Sequence, residues 1–560
     1  MKFSKYFMLA GAAAMLAACS SEEPMPAPGT GSDIDLGEVD TYASFSIALP
    51  DDGTRAVTFE DGDASEYAVK NGKILIFGLP NGGDNSSAAG RGEAKFIAAA
   101  ELEINNAEAG DAEISATHTS MKAAFQKGTF TASNYFEFYG VCILNYSENW
   151  LPSSGDSFKD WAENTTLNGD LVDSEGHFVM TNAAMYNSGN PYVLVKIDTS
   201  KIQDQAVDVK EDAASFYVQR VAAKMTLANA ASTGTKTFAI SGGDYDGSSA
   251  TLTAWAMDLT RKTAYPVQNV WDNNVSKFFD KTSTSAKDWF HIGTLYPRCD
   301  WASSKFYTQE FTSASECLTN FNHISNASLT ALSDKADYIR PNTVAYNRMS
   351  KGTTTRMMIK ASFKLDGVAA GTTFYTIGTE NKAYTAAQLK EKVADFCTET
   401  GMTDPVVTIK DTEAGYKTFA DVIAVEDLKD EDKAALLEHL GIYNEAAAEI
   451  AVYLKGECYY PVYVRHFADE QEAAGVTVNT TANDKIVHFT DYTEAHTGRY
   501  GIQRNSWYEI KVNSISGPGL PTVPDPDPTI PVDRVDDDQR HMQVTTYIMK
   551  WSKRVQDTDL

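Results

Sequence analysis

Along most of this chain apolar and polar residues alternate with a period of two, the pattern of β-strands rather than helices. Residues 42–50, YASFSIALP, place Ala43, Phe45, Ile47 and Leu49 on one face and Tyr42, Ser44, Ser46 and Ala48 on the other, which predicts a half-buried strand. KILIFGL (73–79), NYFEFYGVCILNY (134–146) and PYVLVKI (191–197) follow between Gly/Asn/Ser/Asp turns, the rhythm of a β-sandwich. FYVQRVAAKMTLANAAS (216–232) reads as one long strand that carries the chain into a second region, with a domain boundary near its end. There the strongest strands are RMMIKASFKL (356–365), ECYYPVYVRHF (457–467) and SWYEIKVNSI (506–515). Helical spacing appears in three places. SMKAAFQ (120–126) is a short candidate, TAAQLKEKVADFCTE (385–399) aligns Leu389, Val393 and Phe396, and residues 431–454 read as a helix pair broken at Gly441. No repeat at a solenoid or propeller period is evident.

The two ends depart from this pattern. Lys2 and Lys5 precede an apolar run, Tyr6 to Ala18, that is too short to span a bilayer and reads as a processing signal. Its exit, Leu16-Ala17-Ala18-Cys19, has the form of a bacterial lipobox, in which the Cys19 thiol is acylated and the chain is cut before it. An ordinary secretory signal cut at the Ala-rich site is the other reading. At the far end the folded part is expected to stop at SISGPG (514–519). Prolines 521, 524, 526, 528 and 531 then impose extended backbone that, if straight from 521 to 540, reaches roughly 60 Å. The last alternating stretch, MQVTTYIMKW (542–551), sets Val544, Thr546 and Ile548 against Tyr547, Met549 and Trp551. Such a strand can be donated to another molecule or fold back as an ordinary last strand, and composition does not choose between them.

A chain of 560 residues accommodates two to four domains. A formal charge of −28, spread along the sequence, disfavours nucleic acid and anionic lipid headgroups as partners. The five cysteines after Cys19 (Cys142, Cys299, Cys317, Cys397 and Cys458) are odd in number and lack CxxC spacing, so buried single thiols are expected. Cys299 and Cys317 are the one pair that would close a short loop. No HExxH, GxSxG, phosphate loop or dinucleotide fingerprint occurs. Asp244, Asp246 and Gly247 open like a calcium loop, but Trp255 stands where its last carboxylate belongs, leaving an Asp-Gly turn. No catalytic residue, metal site or cofactor is predicted.

The remaining distinctive feature is mechanical: an isolated strand near each end. Burying Ala43, Phe45, Ile47 and Leu49 contributes roughly 5–10 kcal/mol gross. Vacating their slot would leave a strong acceptor for another strand. Filling it from an identical neighbour makes a head-to-tail contact that does not close, and so a filament.

Several stretches together resemble the fimbrillins, subunits of type V pili, and within them the minor-fimbria (Mfa-like) branch. They are the Cys19 lipobox, YASFSIALP followed by Thr54-Arg55-Ala56, VQRVAAKMTL (218–227) and GTTTRMMIKASF (352–363). GECYYPVYVRH (456–466), RNSWYEIKVNSISGPG (504–519), the Pro-Asp linker and YIMKWSKRVQDTDL (547–560) complete the set. The resemblance implies a mainly β fold of two tandem transthyretin-like β-sandwich domains with short helices and an extended C-terminal donor strand. It partitions the chain into a signal peptide (1–19), a propeptide with a removable strand (20–55), an N-terminal sandwich (56–229), a C-terminal sandwich (230–519), and a linker with donor strand (520–560).

It further implies a non-enzymatic subunit exported as a palmitoylated lipoprotein to the cell outer membrane. An Arg-specific protease would trim it at Arg55–Ala56, with Lys70 or Lys73 as sites for a broader enzyme. The trimmed form would join an extracellular adhesive fimbrium by strand exchange. Its implied partners are further copies of itself, accessory anchor and tip subunits, and host receptors or glycans. Two other classes stay open: a monomeric surface lipoprotein that stacks glycans on Trp150, Trp161 or Trp289, and a hydrolase whose carboxylates meet only in space.

Overall fold

The computed structural model describes residues 39–48, 66, 68–104, 112–113, 119–130, 133–146, 150–187, 190–206, 209–270, 291–292, 298–299, 301–378, 382–466, 498–526, 528 and 542–550. Cys19, Leu49, Arg55, Ala56, Trp289 and Trp551 lie outside them. The chain is mostly β, with several sheets and few short helices, consistent with β-sandwich domains. It divides into two compact units. The first draws its described residues from 39–48, 69–161 and 194–217, the second from 66–68, 162–193 and 218–550.

In the first unit β1 (Val39–Ala48) lies between β4 (Thr119–Gln126), antiparallel to it, and β6 (Asp212–Arg220), parallel to it over Ser44–Ala48. β2 (Gly72–Pro80) pairs antiparallel with β3 (Lys95–Glu101) on one side and β5 (Tyr135–Leu144) on the other. β5 and β6 approach closely at Gly140, where a Cβ would come within 2.6 Å of the Phe216 ring. Only glycine leaves room for that ring. β4 is the SMKAAFQ stretch, expected as a helix and found as a strand. Its Ala, Met and Lys are good helix formers, but propensity is worth little per residue, and pairing along the length of β1 outweighs it.

The second unit is a sandwich of two four-stranded sheets. One has the order β10 (Asp337–Ile339), β7 (Ala223–Leu227), β17 (Ser506–Ile515), β18 (Met542–Lys550). The other runs β8 (Thr237–Ala239), β9 (Ser249–Asp258), β11 (Arg356–Lys364), β16 (Glu457–Tyr463). Met225, Leu227, Tyr508, Ile510 and Val512 from the first sheet share one core with Leu252, Met257, Met357, Ile359 and Val462 from the second. That interdigitation of alternate positions is what a period-two pattern demands. The long strand expected over 216–232 is broken at Val221–Ala222. β6 ends at Arg220, and β7 restarts at Ala223 beside β10 and β17.

A smaller layer carries the two longest helices among the described residues. β13 (Ala383–Thr385), β12 (Phe374–Ile377), β15 (Ile450–Tyr453) and β14 (Gly415–Lys417) form a sheet packed with α1 (Ala386–Glu399) and α2 (Asp430–His439). Thr385 and Gln388 close a reciprocal N-terminal cap on α1, whose buried stripe is Leu389, Val393 and Cys397. Phe396, expected on that stripe, instead stacks on His439 at its flank, with ring centroids 4.7 Å apart. The second helix expected beyond Gly441 is the strand β15. Ile450 and Val452 are β-branched, and β12 and β14 both pair with that strand. Among the described residues no helix is long and apolar enough to cross a membrane.

Candidate functional site

β1 is held from both sides and on both faces. Ala43, Phe45 and Ile47 are fully buried, and Phe45 meets the rings of Phe125 and Phe216 edge-on at 6.2 and 5.8 Å. The opposite face, expected to be exposed in a half-buried strand, is also covered at Ser44 and Ser46, which are buried. Ser44 Oγ donates to Asp212 Oδ1 at 2.6 Å, and Ser120 Oγ donates to Asp212 Oδ2 at 2.8 Å. Small hydroxyls allow a strand to be buried on its polar face when a neighbouring carboxylate accepts their hydrogen bonds.

Downstream of β1, Glu66 belongs to the second unit and is 1% exposed. Its Oε1 lies 2.7 Å from Lys224 Nζ and accepts the Tyr338 hydroxyl at 2.7 Å. Its backbone carbonyl accepts Arg220 Nε at 2.6 Å. Lys224 also faces the Trp507 ring at 4.1 Å. These buried ionic contacts fix the chain just past the 51–65 stretch. Sequence reading missed them because the partners are separated by 158 positions.

At the other end β18 pairs antiparallel with β17 and, among the described residues, forms the edge of its sheet. The register sets Val544, Thr546 and Ile548 opposite Val512, Ile510 and Tyr508, and Tyr547 and Met549 opposite Glu509 and Trp507. Met542 is buried in the sandwich core. In this conformation the last strand folds back on its own unit.

The linker does not leave at 519, as its prolines suggested. Leu520 exchanges backbone hydrogen bonds with Tyr459 at 2.7 and 2.8 Å, and Pro521, Val523 and Pro526 are buried. Val523 packs with Ala254, Met358 and Tyr459 on the outer face of the β8–β9–β11–β16 sheet. Arg356 grips the linker: its Nη2 donates to the Pro524 carbonyl at 2.7 Å while its Nε donates to Asp258 Oδ2 at 2.8 Å. Burial pushes the Asp258 carboxyl up. The hydrogen bond with His323 and the Arg356 charge more than offset this and hold it below its ordinary value of 3.8.

The remaining sequence candidates find structural roles. Trp150 and Trp161 are buried, with the Trp161 indole N–H donating to the Trp150 carbonyl at 2.6 Å, so neither offers a face to a sugar. Around Asp244 and Asp246 the chain makes a tight turn in which Gly242 N–H donates to Asp246 Oδ1. Cys142, Cys317, Cys397 and Cys458 are buried. Burial pushes the Cys458 thiol up to about 11, which leaves it protonated and unreactive at neutral pH. Asp173, Glu175 and His177 come close enough to share an ion, but Asp173 Oδ1 accepts the backbone N–H groups of Glu175 and His177 and closes a turn.

Residues 451–557, which hold β16, β17, the linker and β18, match a family model described as major fimbrial subunit protein type IV, fimbrillin, C-terminal. That region is similar to the C-terminal part of fimbrillins. No curated protein matches it. Two crystal structures of candidate cell adhesion proteins from Parabacteroides distasonis ATCC 8503 match along most of the chain. One shares 10% identity at a TM-score of 0.37 over 93% of this chain and 99% of its own. The other shares 11% at a TM-score of 0.34 over 92% and 100%.

Proposed function

We propose that this fimbrillin-like chain is a structural subunit of an adhesive surface fimbria of the type V kind, assembled by proteolytic release of β1 and insertion of β18 from a neighbouring copy. The lipidated Cys19 would tether the precursor until the cut at Arg55–Ala56 frees it. The observation that carries this reading is an asymmetry between the two terminal strands. β1 occupies an internal position with a neighbour on each side, whereas β18 has one neighbour among the described residues. A strand that moves from an edge into a vacated internal slot gains a second ladder, with each bond adding about 0.5–1.5 kcal/mol net. The slot left by Phe45 and Ile47 adds roughly 3–6 kcal/mol of apolar burial. Exchange is therefore downhill once β1 is gone and blocked while it is present. Glu66 supports the same reading, because it holds the chain beyond the cut in the second unit while the leader departs.

Brief trypsin treatment of the purified precursor tests the proposal. N-terminal sequencing should read Ala56-Val57-Thr58, and SDS-resistant multimers should follow. Deletion of residues 541–560 should abolish the multimers and leave a folded monomer. Fibres that form as readily from uncut precursor, or from the truncated chain, would defeat it.

A further inference from the structure

Two buried cations border one small cavity in the second unit. Arg504, just ahead of β17, is 7% exposed, and Lys305 is 9% exposed. The cavity has a volume of about 20 Å³, and Ser303, Ser304, Thr343 and Gln268 also line it. Arg504 Nη2 donates to Thr181 Oγ1 at 3.1 Å and to the Pro266 carbonyl at 3.3 Å, while its Nε has no hydrogen-bond partner among the described residues. Lys305 Nζ donates to Thr166 Oγ1 and to the Glu163 backbone carbonyl, and stands 5.0 Å from the Tyr265 ring centroid. These partners are all neutral, and no carboxylate lines the cavity among the described residues. A buried cation without a counter-charge is strongly unfavourable. Burial accordingly pulls the Arg504 guanidinium down to about 9 and lowers Lys305 as well.

We propose that this cavity is an anion site for a single halide-sized ion, chloride being the natural occupant, held between the Arg504 guanidinium and the Lys305 ammonium. The donor set is that of an anion site: a guanidinium, an ammonium and hydroxyls, with no acidic group among them. The volume sets the class. A water molecule needs roughly 10–15 Å³ by this measure, so the space holds one monatomic ion. Such an ion would tie the 264–268 segment, the 302–305 segment and the root of β17 together. β17 is the strand on which β18 rests, so the ion would stabilise the sandwich where the tail docks.

The test uses the full-length chain. Thermal unfolding is followed in sodium chloride and in sodium gluconate at equal ionic strength. A saturable rise in Tm with chloride is expected, on the order of 2–5 °C at tenfold excess over the dissociation constant. Lys305→Met should remove the chloride-specific part of that rise while the chain still folds. Crystals soaked in bromide should show an anomalous peak within contact distance of Arg504 and Lys305. Equal Tm in the two salts, a chloride effect that survives in Lys305→Met, or the absence of bromide at this position would each overturn the proposal. Because Arg504→Met removes a buried group and can fail to fold, the bromide peak and the Lys305 variant are the deciding measurements.

Discussion

Lys224 Nζ lies 2.7 Å from Glu66 Oε1, and both side chains are withdrawn from water. A buried charge stripped of its partner typically destabilises a fold by about 3–5 kcal/mol. Glu66→Gln should therefore lower the urea stability of the second unit by that amount. Lys224→Met in the same chain should recover part of the loss, because the stranded cation disappears with it. A double variant no better than the single would show that Glu66 acts through Tyr338 and Arg220 instead.

His466 supplies a pH dependence. It is 2% exposed, approaches the Gly498 carbonyl through Nδ1 and the Tyr508 hydroxyl through Nε2, and meets Trp301 edge-on. Burial lowers its pKa from 6.5 to about 4, against a smaller opposing effect of the hydrogen bond with Gly498. Between those values the unfolded chain binds the proton and the folded one does not. The stabilisation is thus full above pH 6.5 and is lost as the pH falls towards 4. His466→Gln should flatten the stability–pH slope over that interval in denaturation experiments, and an unchanged slope would count against a neutral buried imidazole.

Phe45 offers a variant whose effect depends on processing. Phe45→Ala in the intact chain should cost about 3–5 kcal/mol, since the ring fills the space between Phe125 and Phe216. After trimming at Arg55 the wild type and the variant should unfold alike, because residue 45 has departed with the leader. Urea melts of intact and trimmed material read this directly. A difference that persists after trimming would mean that β1 stays bound.

Deleting residues 541–560 should raise hydrogen exchange at the amides of β17 that face β18, while amides facing β7 stay protected. Exchange mass spectrometry of peptides spanning 506–515 would show the change. Unaltered protection would mean that β18 does not occupy that edge in solution.

Much of the fold was legible because strands announce themselves locally. Ile74, Ile76, Met357, Ile359, Tyr508 and Ile510 alternate with less buried or opposite-facing neighbours, and hydrophobic burial needs little more than that. The misreadings came where neighbours distant in sequence decide. SMKAAFQ becomes a strand because β1 lies alongside it, and 450–453 becomes one because it has a partner on each side. The polar face of β1 looked solvent-exposed because nothing near Ser44 reveals that Asp212 accepts its hydroxyl. The linker looked free because proline content reports lost hydrogen bonds, while Arg356 holding the Pro524 carbonyl is a long-range contact. The buried charges at Glu66, Asp258, Lys305 and Arg504 were invisible for the same reason. Each is an ordinary surface residue by type, and only the fold encloses it.

The docking of the linker through Pro526 resets the geometry of any assembly built from its tail. Only residues 527–541 separate that anchorage from β18. Drawn straight, such a leash measures on the order of 45 Å. Consecutive copies joined by it would stand at a stride bounded by this length and measured from the outer face of the β8–β9–β11–β16 sheet, so the axial repeat of a fibre should shorten or lengthen with residues removed from or added to 527–541.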